Sequence, residues 1–156
     1  MPRLRLASFI TLLSGLLVVA SMTAAAASEQ NRKLETLRHG LGTAAASALY
    51  HTHLFISATA DGYKGGVFQA DQVRQALKAS AEVTTALMDD LGRVKSVDLP
   101  PEDIVKLDGL ISICELVLKE ARLISGMVRL GTPEAERAFA EHHLKVRARL
   151  VKLLGL

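Results

Sequence analysis

The residues of this chain best suited to chemistry are its histidines. Two of the five, His51 and His53, stand one residue apart in "LYHTHLFISATADGY", and two more, His142 and His143, are adjacent in "AEHHLKV". Imidazoles bind zinc, copper or haem iron, and they also move protons. On a helix, residues two apart differ by about 200° and point to nearly opposite sides. His51 and His53 therefore cannot share one ion from regular helix. The stripe through Ala48 and Phe55 leaves His51 about 60° from its centre, at the edge of a core, and sends His53 toward solvent. His51 lies about ten residues before Asp61, and His143 about ten after Pro133. In adjacent antiparallel helices those two sit at similar depth, with His142 turned about 100° from His143. Such a cross-helix pair, His51 with His143 and His142 beside it, is the metal or haem candidate, for copper, zinc or a haem iron. The same residues read more readily as a polar layer satisfied by Thr52, Ser80 or water, since buried polar groups find partners.

The elements that would position these rings follow from spacing. Apolar residues recur at three- and four-residue steps through Leu34, Leu37, Leu41, Ala44, Ala48, Phe55 and Thr59, which predicts a helix over about 31–61, with Gly40 and Gly42 as a kink or break. "DGYKGG" ends it. Val73, Leu77, Ser80, Thr84, Leu87, Leu91 and Val94 form a bundle-type seam over 70–94. Pro100 and Pro101 with Glu102 and Asp103 start a third helix, 101–129, whose wide apolar stripe makes it the most buried. "LGTPEAE" stops that helix and starts a fourth over 133–154, with Thr132 as N-cap and Phe139, His143, Val146, Leu150 and Leu153 inward. Short joins between long helices predict an all-α, antiparallel up-down-up-down four-helix bundle.

The first residues predict export. Arg3 and Arg5 precede an apolar run from Leu6 to about Ala20, and small residues follow in "TAAAASEQ". That order is a secretory signal peptide, residues 1–27, cut after Ala27. The bundle domain is then 28–156, in the periplasm or outside the cell, with no stable membrane insertion after cleavage. The heavy use of Ala and Arg suits a GC-rich bacterium. Losing Arg3 and Arg5 leaves 17 basic residues against 16 acidic, which removes the electrostatic basis for binding nucleic acid. The basic run "KVRARLVK" suits a helix C-terminus. Cys114, the single cysteine, cannot form an internal disulfide and lies among apolar residues.

No catalytic motif is present: there is no G-x-S-x-G, phosphate-binding glycine loop or H-E-x-x-H. Glu-x-x-His pairs of di-iron bundles and the Cys-x-x-Cys-His of covalent haem are absent as well. The sequence thus favours a non-catalytic bundle without a cofactor, acting through a homodimer or an envelope protein. Its contact face would be Tyr50, Leu54 and Tyr63, because Leu49–Ile56 is apolar nearly all round. The alternative is the metal or haem bundle above. N-terminal sequencing of the exported protein is expected to begin at Ser28, whereas retention of Arg3 and Arg5 contradicts the signal peptide.

Overall fold

Proline and glycine punctuate the chain so that helices fill nearly all of it. The computed structural model describes the backbone of residues 3–96 and 98–155. Side chains are described from residue 29 onward, except at 30, 31, 34, 37, 97 and 156. The leader and cleavage site expected at 1–27 rest on side chains outside the described residues. Among the described residues there are four helices: α1, Arg3–Lys64; α2, Ala70–Lys95; α3, Pro101–Leu130; and α4, Pro133–Leu154. Among the described residues there is no strand, and no helix is long and apolar enough to cross a membrane.

The chain divides into two units, residues 1–41 and 42–156. In the first, Lys33 pairs with Glu29 one turn away at 2.8 Å, and the Thr36 hydroxyl donates to the Arg32 carbonyl. Helix α1 starts well before residue 31, and it runs through Gly40 and Gly42 without the expected break. Each glycine costs only about 1 kcal/mol relative to alanine, which neighbouring helix formers can absorb.

In the second unit, α3 packs against both α2 and α4. Its buried residues are Leu107, Leu110, Ile113, Cys114, Val117, Glu120, Ala121, Ile124 and Met127, the longest such set among the described residues. Fully buried leucine and isoleucine side chains such as Leu49, Ile56, Ile124 and Leu150 contribute about 1.5–3 kcal/mol each. The seam of α2 buries Val73, Leu77, Ser80, Thr84 and Leu91. Its two hydroxyls are satisfied locally, Ser80 donating to the Ala76 carbonyl and Thr84 to that of Ser80.

The joins set where each helix begins. Gln72 accepts the Gln69 N–H at 2.8 Å at the head of α2. Pro101 opens α3 with Glu102 and Asp103 in its first turn. Gly131, at φ 60°, closes α3 by donating its N–H to the Met127 carbonyl. Thr132 then accepts the Ala135 N–H, and Pro133 starts α4.

The core face of α1 differs from the expected one. Ala45, Ala46, Leu49, His53, Ile56 and Ala60 are buried; of the expected stripe Thr59 is buried, whereas Ala44 and Ala48 are exposed and Phe55 is 50% exposed. The true stripe is displaced by one residue, a rotation of about 100°. Leu49–Ile56 is apolar on nearly every side, so hydrophobic spacing alone does not choose between neighbouring stripes.

Two glycines give stability changes of opposite sign. Gly131→Ala puts a Cβ on a left-handed residue and is expected to cost about 1–2 kcal/mol. Gly92→Ala meets nothing within 4 Å inside α2 and is expected to add about 0.5–1 kcal/mol. Urea unfolding midpoints check both; a shared sign contradicts these backbone assignments.

Candidate metal centre

At the turn of α1 that Leu49 and Ile56 bury, the intervening inward position is His53. Its side chain is 1% exposed, and its Nδ1 lies 2.9 Å from Oε2 of Glu120 on α3. The other carboxylate oxygen of Glu120 lies 2.6 Å from Nδ1 of His143 on α4. Glu120 is itself fully buried, and His143 is 21% exposed. A carboxylate can only accept, so both imidazoles donate Nδ1–H to it. Their rings stack on each other, with centroids 4.4 Å apart and planes 19° from parallel. Glu120 therefore clips the edge of a two-imidazole stack, one oxygen to each ring.

The surroundings hold that stack in place. The ring of Phe139, one turn before His143, lies 5.6 Å from the His143 ring at 43°. The Lys64 ammonium sits 5.7 Å over Phe139. Tyr63 packs against the core, and its hydroxyl donates to the Val128 carbonyl at 3.4 Å. One candidate donor atom from each of His53, Glu120 and His143 lies within 4.8 Å of the others. Three different helices thus deliver two nitrogens and one oxygen to one point.

Placement of the expected residues is mixed. His143 is at the centre of the cluster. His51 is exposed, its ring 6.2 Å from that of Tyr50, so the expected pairing of His51 with His143 is replaced by His53 with His143. The physical reason is the rotation of the α1 stripe, which exchanges the two histidines between core and solvent. His142 is buried but turned to α3, where its Nε2–H donates to the Leu116 carbonyl at 2.8 Å. Of the expected contact face, Leu54 is exposed, whereas Tyr50 and Tyr63 pack partly buried against the core. Burial pushes the Cys114 thiol up to about 11, so it stays protonated at neutral pH, as an inert core residue.

Glu120 is the residue that sequence reasoning passed over. A signal for it exists: Leu110, Ile113, Val117, Ile124 and Met127 alternate three- and four-residue steps, and the vacant step between Val117 and Ile124 is Glu120. Glutamate is almost never fully buried unless paired, so an acid in such a seam implies partners on facing helices.

The chain matches no family model, no curated protein and no solved structure. Geometry and chemistry therefore carry the functional argument.

Removing the carboxylate leaves two imidazole donors without an acceptor in the interior. Glu120→Ala is expected to lower stability in urea unfolding by about 1–3 kcal/mol for each imidazole donor left without an acceptor. Glu115→Ala, on the exposed face of the same helix, is expected to leave the midpoint unchanged. Equal midpoints for the two variants contradict a network centred on Glu120.

Proposed function

We propose that this chain is an exported, non-catalytic helical bundle that holds one divalent transition-metal ion between His53, Glu120 and His143. The observation that carries the reading is the convergence of two imidazoles and one carboxylate, each from a different helix, within 4.8 Å in the interior. Export rests on the order of charge, apolar run and small residues at the N-terminus. An antiparallel up-down-up-down order is part of the reading. Contacts of α1 with α3 rise together, His53 to Glu120 and Tyr63 to Val128, whereas those with α4 run oppositely, His53 to His143 and Lys64 to Phe139.

The donor set narrows the ion. Two nitrogens and one carboxylate oxygen suit zinc, copper(II), nickel, cobalt or iron(II). A tetrahedral ion with bonds of about 2.0–2.1 Å holds its donors about 3.3 Å apart. The hydrogen-bonded pairs at 2.9 and 2.6 Å must therefore open by roughly half an ångström. The stack must also open, because an ion binds in the plane of each ring and near-parallel planes do not meet at one ion. His53 is enclosed; His143, with its exposed edge, is the ring that turns. A haem fits less well, since rings 4.4 Å apart leave no space for a porphyrin between them.

Zinc titration by calorimetry, with metal analysis after dialysis, tests the reading. One zinc per chain is expected for the wild type. His53→Ala and His143→Ala are each expected to weaken binding at least 100-fold, while His51→Ala leaves it unchanged. Zinc binding that is absent, or equal in all four proteins, contradicts it.

A further inference from the structure

The cluster supplies fewer donors than a four-coordinate ion needs. His53, Glu120 and His143 form a set of three, and the nearby groups that could complete it are occupied or turned away. His142 spends its Nε2–H on the Leu116 carbonyl, and His51 and Glu141 are exposed. Cys114 lies six residues before Glu120, about 9 Å along the axis of α3. A site with three protein ligands keeps a position for water or another small ligand.

Charge decides what that ligand is. A dication held by one carboxylate and two neutral imidazoles carries a net single positive charge. The two innermost ligands, Glu120 at 0% and His53 at 1% exposure, place that charge in the interior, where an uncompensated charge is costly. A monoanion bound directly to the ion removes it. Exposure also decides the side of entry. His143 alone of the three reaches solvent, so the open position faces the α4 side of the cluster.

Building on the metal-binding reading, we infer that the loaded centre takes one small monoanion with a nitrogen or oxygen donor as its fourth ligand, entering beside His143. The site is then an anion-binding metal centre rather than a closed structural one. Phe139, one turn away with its ring 5.6 Å from that of His143, gives this side of the cluster an apolar neighbour.

The test uses the mature protein loaded with cobalt(II), whose visible d–d band reports its ligand field, titrated with sodium azide in chloride-free buffer. The band is expected to shift in a saturable way with one azide per cobalt. The wild-type protein serves throughout, so the result does not depend on a variant folding. A cobalt band that forms but does not respond to azide overturns the open position while leaving metal binding intact. No cobalt band at all overturns both.

Discussion

A carboxylate buried to 0% exposure is the constraint around which the second unit is built. Moving an ionised carboxylate out of water costs several kcal/mol even after the protein relaxes, and only good partners offset it. Glu120 has two, on two different helices. His53 fixes the rotation of α1 about its axis, and His143 fixes that of α4. The spacing of apolar residues on α1 does not by itself choose between such rotations, because Leu49, Tyr50, Leu54, Phe55 and Ile56 are spread around the helix. The polar contact is what distinguishes one facing of α1 from its neighbour 100° away. Glu120 acts less as a source of stability than as a register pin, the best-attested use of a buried polar group in a helix bundle.

The remaining structure follows from α3. Helix α3 borders both α2 and α4, and its Glu120 reaches partners on α1 and α4. The joins support this by fixing where each helix begins: Pro101 with its acidic first turn for α3, and Gly131, Thr132 and Pro133 in sequence for α4. His143 stands one turn beyond Phe139, which packs under Lys64 near the end of α1. The imidazole stack is thus held between an enclosed ring on α1 and a partly exposed ring on α4. That asymmetry underlies the role given to His143 as the ring that turns.

Much of the fold was legible from punctuation. Proline, glycine and threonine mark the ends of α3 and α4, and the alternating seam of α2 is the one the structure buries. What periodicity could not give was the rotation of α1. Ala48 and Phe55 make as good a stripe as Leu49 and Ile56 by spacing alone, and the choice depends on a glutamate far along the chain. For the site, His143 was recoverable from its place in a regular apolar face. His53 was lost with the rotation. Glu120 was lost because charged residues are by habit assigned to solvent, although the three- and four-residue steps of its own helix run straight through it. An acid in a seam and a histidine in a degenerate stripe are each ambiguous, and together they are not.

The most direct measurement is anomalous X-ray diffraction from zinc-loaded crystals at the zinc edge. A single peak is expected about 2.0–2.2 Å from donor atoms of His53, Glu120 and His143, with the two imidazole rings no longer parallel. Crystals that carry zinc elsewhere, or none, with both rings still stacked on an unmoved Glu120, would show that the cluster pins the bundle and binds no ion.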